Sequence, residues 1–148
     1  MTIKAAIVAK PDTAHLEQMA QIHRESFTKH WDTRALAEML SVRGTHAFVA
    51  GDAGFAILRI LDLEAELLTI AVSPDRRGQG VGVALMQAMH AFAGQRGAKA
   101  VFLEVSERNE AACKLYTKAG FSEISRRKAY YHESDGSVTD ARVMRAPL

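Results

Sequence analysis

Short apolar runs alternate along the chain with stretches of helical spacing, and that alternation predicts the order of the elements. "IKAAIVA" from residue 3 reads as a first strand. Asp12-Thr13 can cap a helix whose Leu16, Met19, Ala20, His23 and Phe27 share one face, with His23 read as a packed core histidine. Asp32-Thr33 can cap a short second helix carrying Leu36, Met39 and Leu40. "HAFVA", "GFAILRI" and "AELLTIAVS" read as three successive strands, joined by the turn "GDAG" and the link "LDLE". A long helix follows, with Val81, Ala84, Leu85, Ala88 and Phe92 as its predicted apolar face and an end near Gly97. "AVFLEVS" is almost unbroken in its apolar character, as expected of a strand buried on both faces. From about Asn109 a further helix places Ala112, Leu115, Tyr116 and Ala119 on one side, with Gly120 as its left-handed cap and Phe121 folding back. Two last strands, "FSEISRRKAYYH" and "SVTDARVMRA", flank a turn at "SDG". The expected fold is α/β, with a mixed, mostly antiparallel sheet and a parallel strand–helix–strand crossover between residues 64 and 106.

A chain of 148 residues fits one domain with one core, spanning 1–148. A net charge of +2 is too small to argue for a nucleic acid or a membrane as partner. Basic residues cluster only locally, at Arg76-Arg77 and Arg126-Arg127-Lys128. The single cysteine, Cys113, excludes an intrachain disulfide and suits a reducing cytoplasm. The first residues lack a signal-peptide pattern, and no apolar run approaches the roughly 20 residues that span a bilayer. A soluble, cytoplasmic protein is expected. Six histidines without a spacing such as His-Glu-x-x-His predict no metal.

The chemistry begins at "SPDRRGQGVGVALMQAM", where Gly78, Gly80 and Gly82 open a helix that glycine weakens. Glycines at a helix start let a ligand approach the backbone, and the free N–H groups there favour an anion, so the expected ligand carries phosphate. A P-loop is excluded, because no Lys-Ser or Lys-Thr follows Gly82. A dinucleotide fingerprint is disfavoured: Val83 occupies its third glycine position, and the motif starts past mid-chain despite Glu104 lying suitably downstream.

Arg77-x-x-Gly80-x-Gly82 between a strand and a helix instead resembles the acetyl-CoA pyrophosphate loop of the GNAT superfamily of N-acetyltransferases. "FLEVSERNEAACKLYTKAGFSEISRRKAYY" and "DARVM" are similar to its ribosomal-protein-alanine N-acetyltransferase branch, the RimI type. The resemblance runs from about Gly54 to the C-terminus. Before that, Phe27 to Trp31 is similar to the family's aromatic-Pro-Trp element, with His30 in place of proline; His132 likewise follows Tyr-Tyr where the family often has proline. Both positions fall where the acceptor is expected. The resemblance implies a GNAT-like sheet of six or seven strands with helices on both faces and a central parallel pair. It implies acetyl-CoA contacts at Ile70, Ala71 and Val72, at Gly78, Gln79, Gly80, Val81, Gly82 and Val83, and at Asn109. It implies Glu104 as general base and Tyr116 as general acid. It also implies a bulge in the strand before the loop, and as acceptor the N-terminal amine of a protein, a ribosomal small-subunit protein in the typical case.

The residues allow these roles and plainer ones. Glu104 interrupts an apolar strand, where burial would make a carboxylate a better base; pairing with a basic neighbour, or a place at a frayed strand edge, is the alternative. Tyr116 reads as a core tyrosine whose phenol could also protonate a leaving thiolate. Asn109 is a natural N-cap as well as a cofactor contact. Arg76 and Arg77 could meet phosphate or solvent. Cys113 sits mid-helix without a histidine or carboxylate partner, so direct transfer in a ternary complex is expected rather than an acetyl-cysteine. Competing readings are acetylation of a lysine ε-amine or a small amine, and an acyl-CoA-binding module without turnover.

Overall fold

The computed structural model describes residues 3–148. Its elements follow the predicted order: β1 (Ala6–Val8), α1 (Thr13–Ser26), α2 (Thr33–Leu40), β2 (Thr45–Ala50), β3 (Gly54–Leu61), β4 (Glu64–Val72), α3 (Val81–Gln95), β5 (Ala100–Ser106), α4 (Glu110–Lys118), β6 (Ser122–His132) and β7 (Val138–Pro147). The caps form as the side chains dictate. Asp12 accepts from the His15 N–H at 2.8 Å, and Asp32 accepts from the Ala35 N–H at 2.9 Å. Asn109 accepts from the Ala112 N–H at 3.2 Å. Gly120 takes a φ of 96°, and the Phe121 N–H then reaches the Tyr116 carbonyl at 3.0 Å, closing α4.

The seven strands form one sheet in the order β1-β2-β3-β4-β5-β7-β6. Every neighbouring pair is antiparallel except β4 and β5. Two apolar layers cover its faces. On one side α3 and α4 pack Val81, Leu85, Met86, Met89, Cys113 and Tyr116 against the sheet. On the other, α1 and α2 pack Met19, Ala20, Ile22 and Leu36 against Phe55 and Ile57.

Three details depart from the sequence pattern. The first strand is shorter than "IKAAIVA", with three paired residues. The buried stripe of α3 is Val81, Leu85, Met86, Met89 and Ala93; Ala84, Ala88 and Phe92 flank it, half-buried. The helix is apolar nearly all round, so its periodicity leaves its rotation open. In β5, Val101, Leu103 and Val105 are buried, whereas Phe102, Glu104 and Ser106 point to a half-open face. No helix covers that face at β5: the α1–α2 layer packs over residues of β2, β3 and β4.

His23 is a core histidine, as its place on the α1 stripe predicts. Its ring stacks on Trp31 at 4.7 Å and its Nδ1 accepts from the Trp31 N–H at 3.0 Å. Burial, with a smaller effect from His30, lowers its pKa to about 4. The neutral ring therefore fixes the α1–α2 loop that carries His30 and Trp31.

Candidate active site

The site begins with an interruption. β4 and β5 pair over only three rungs, Glu64 with Ala100, Ala65 with Val101 and Glu66 with Phe102. β4 continues to Val72 and β5 to Ser106, so beyond those rungs the strands part and their facing backbone groups have no strand partner. Ile70, Ala71 and Val72 lie on the β4 side of this seam, held from behind by Ala56, Phe55 and Gly54 of β3. Glu104 lies on the β5 side, two residues past the last rung. β4 also carries a bulge: Ile57 faces Thr69 and Leu58 faces Leu67, leaving Leu68 extra. Such a bulge turns neighbouring backbone N–H groups out of the regular ladder.

At the mouth of the seam the loop from Ser73 enters α3. Gly78 and Gly80 have φ of 77° and 85°, and a Cβ at either would meet open space. They are glycines because the backbone is left-handed there. Gly82 differs: a Cβ on it would come within 3.0 Å of the Leu115 side chain, so it permits the close contact of α3 with α4. The three glycines thus serve two purposes, a turn and a helix contact. Gly80 caps α3 without a side-chain hydrogen bond. Among the described residues, the N–H groups from Gly78 to Val83 find no hydrogen-bond acceptor, and the first helical bond runs from Ala84 N to Gly80 O.

Both loop arginines are engaged by the protein. Arg76 pairs with Asp52 at 3.2 Å. Arg77 donates to the Val72 carbonyl at 3.2 Å and to Ser26 Oγ at 3.3 Å, tying the loop to the end of β4. Beside the helix start, a mainly apolar groove of about 620 Å³ runs along α4 past Val83, Lys114, Leu115 and Lys118.

Glu104 is not buried as the apolar strand suggests. Its side chain is 29% exposed, and Oε1 lies 2.9 Å from Arg127 Nε of β6. The basic neighbour is present, and it comes from a strand that only the fold brings near. Tyr116 is buried against Phe121, with ring centroids 5.8 Å apart. Burial is the main cause that pushes its phenol up. Tyr131 is in turn pushed up by burial first and by Glu104 next. Glu104 thus acts on Tyr131, which stands in β6 beside its partner Arg127. Tyr131 was visible only as part of a Tyr-Tyr motif; nothing in its spacing tells which of the two rings turns inward. Above it the β6–β7 hairpin is tied down, with Glu133 accepting from Ser106 Oγ at 2.7 Å and from Thr139 Oγ1 at 2.6 Å.

A sheet opened between two parallel strands, with a bare helix start at its mouth, fits an N-acetyltransferase, and comparison with known proteins shows that class. The GNAT acetyltransferase family pattern matches residues 16–121, and the chain belongs to that family. Among its relatives is the [ribosomal protein bS18]-alanine N-acetyltransferase of Escherichia coli K12, 35% identical over 141 residues, which are 93% of this chain and 90% of the relative. The Haemophilus influenzae protein of the same name is 29% identical over 142 residues, 94% and 97% of the two chains. The crystal structure of the Escherichia coli ribosomal-protein-S18-alanine N-acetyltransferase matches with a TM-score of 0.85 at 32% identity, covering 97% of this chain and 94% of that one. Ard1 from Thermoplasma volcanium matches with a TM-score of 0.81 at 25% identity, covering 99% of each. Among the described residues no helix is long and apolar enough to cross a membrane, and no cluster of three potential metal ligands occurs.

Proposed function

We propose that residues 1–148 act as one cytoplasmic acetyltransferase domain that carries acetyl from acetyl-CoA to the N-terminal α-amine of a protein. The observation that carries the donor is the seam between β4 and β5, which ends at the unpaired N–H groups of Gly78 to Val83. Those donors and the positive end of α3 suit a pyrophosphate. Gln79, Gly80, Val81 and Gly82 would hold it, with Arg77 at the edge. Ile70, Ala71 and Val72 offer backbone partners along the seam, and Asn109 combines its cap with a contact to the same ligand. Lys114 and Lys118 flank the neighbouring groove.

Acetyl-CoA supplies the acetyl group as a thioester. Glu104 takes the proton that the acceptor ammonium must lose before its nitrogen can attack. A backbone N–H at the bulge of β4 polarises the carbonyl oxygen. As the new C–N bond forms and the C–S bond breaks, Tyr116 gives its phenolic proton to the departing sulfur, and the second proton that the nitrogen sheds on becoming an amide restores the phenol. A phenol holds its proton near neutral pH at its ordinary pKa, as that role needs; the burial that pushes Tyr116 up makes it a weaker acid, which the negative charge growing on the sulfur beside it must offset. Cys113 is buried and donates weakly to the Ser106 carbonyl at 3.9 Å, an inert position rather than a nucleophile's. Transfer is therefore direct, within a ternary complex.

For the acceptor, the reading rests on relatives named for alanine acetylation of ribosomal protein bS18, matched over nine-tenths of both chains. A ribosomal small-subunit protein beginning with alanine is the acceptor class proposed. Peptides with a free N-terminal alanine and an internal lysine test it against the lysine or small-amine alternatives. The expected product carries one acetyl group on the α-nitrogen, and a pre-blocked N-terminus gives no turnover above background. Turnover that survives the block overturns the α-amine reading. An acetyl group trapped on Cys113 overturns direct transfer.

A further inference from the structure

β6 does not run evenly past β7. Arg127 faces Ala141 and Tyr131 faces Thr139, so Lys128, Ala129 and Tyr130 stand opposite Asp140 alone. Ala129 takes a φ of 54°, a conformation that a residue with a Cβ adopts at a cost. Its N–H donates to Asp140 Oδ1 at 3.0 Å, which fixes the kink. Strain held in this way concentrates at functional sites. At this kink Arg127 reaches Glu104, with Nε and Oε1 2.9 Å apart.

The pair is asymmetric. Arg127 is 56% exposed and Glu104 is 29% exposed, so the guanidinium covers the carboxylate from the solvent side. Among the described residues no other cation pairs with Glu104. Arg126 is committed to Glu107 and Glu123, at 2.9 and 3.0 Å. Tyr131, its phenol pushed up, adds no charge, and Glu133 is held by Ser106 and Thr139. An ion pair this exposed is weak and readily exchanged. The guanidinium also lies over the Tyr130 ring, with Cζ 5.2 Å from its centroid, so one of its two contacts survives when the carboxylate is taken.

We propose that Arg127 is a resident counter-ion which the acceptor's ammonium displaces from Glu104, so that the site selects acceptors arriving as cations. The proposal rests on the reading of Glu104 as the group that meets the acceptor nitrogen. Arg127 acts through Glu104 as a specificity-determining residue and takes no part in the acetyl transfer.

The test is a set of four full-length proteins: wild type, Arg127→Gln, Glu104→Gln and the double variant, with Arg127→Lys as a fifth. The readout is calorimetric binding of a peptide with a free N-terminal alanine, at saturating CoA, so that no turnover is needed. Arg127→Gln is expected to tighten peptide binding about three- to five-fold, the worth of an exposed pair. The acceptor KM should fall with it, with no matching change in kcat. Arg127→Lys restores a displaceable cation and returns the affinity to within about twofold of wild type. In the Glu104→Gln background, Arg127→Gln should change nothing. Weaker binding by Arg127→Gln, no change, or the same tightening without Glu104 each overturns the proposal. The kcat of Glu104→Gln alone tests the base assignment separately, and the four affinities remain readable whatever that rate is.

Discussion

Glu104→Gln is expected to lower kcat by at least about 100-fold while leaving acetyl-CoA affinity intact, the loss that follows removal of a positioned general base. The substitution keeps the volume of the side chain and its place on β5. It removes only the capacity to hold a proton and the charge facing Arg127, whose side chain is exposed enough to be solvated instead. The fold should therefore be unaffected. Tyr116→Phe is the companion. It retains the edge-on contact with Phe121 in the core and removes one hydroxyl. A fall in kcat with unchanged melting temperature separates proton donation from packing. The pair of assignments is wrong if both variants turn over a verified acceptor peptide at the wild-type rate.

Gly80→Val is the second large effect, and it acts on the donor. The backbone there has a φ of 85°, where a β-branched residue is strained by about 1–2 kcal/mol. The space around a new Cβ is open, so relief comes by moving the loop rather than by repacking the core. Moving it redirects the N–H groups of Gly80, Val81 and Gly82 away from a common focus. Hydrogen bonds to a charged group are worth about 1.5–3 kcal/mol each, so acetyl-CoA binding should weaken at least about tenfold. Calorimetric titration with acetyl-CoA, beside a melting curve, reads both effects. A lowered melting temperature with unaltered affinity would show that the loop does not hold the donor. Gly82→Ala should behave differently, because its new methyl presses on Leu115 at 3.0 Å.

Local rules carried the reading of the sequence a long way. Asp12 and Asp32 begin their helices, and Gly120 ends α4, because each cap depends on residues within one turn. "AVFLEVS" is β5 at both ends. The glycine loop and Glu104 stood out as candidates because those residue types are locally anomalous, glycine opening a helix and a carboxylate inside an apolar strand. What escaped was pairwise. That β4 and β5 share three rungs and then part is a property of two strands separated by a helix, and neither run of residues encodes it alone. The burial expected of Glu104 failed because the α1–α2 layer on its face packs over β2, β3 and β4 and stops short of β5, a boundary that one strand's apolar run does not reveal. Arg127 was visible as one of three consecutive basic residues; its partner depends on a left-handed alanine, which no propensity foretells.

The kink at Ala129 also matters to the protein as a solute. β6 ends the sheet on one side, eleven residues long and almost wholly exposed, a row of backbone groups on which another chain could add a strand. Its ladder with β7 is broken twice, near Ile124 and again between Arg127 and Tyr131, and it bears Arg126, Arg127 and Lys128. A strand so uneven and so charged is a poor template for intermolecular pairing. At the opposite edge β1 offers only three residues. The irregularity that sets a guanidinium over Glu104 thus also blunts the longest open edge of the molecule against aggregation.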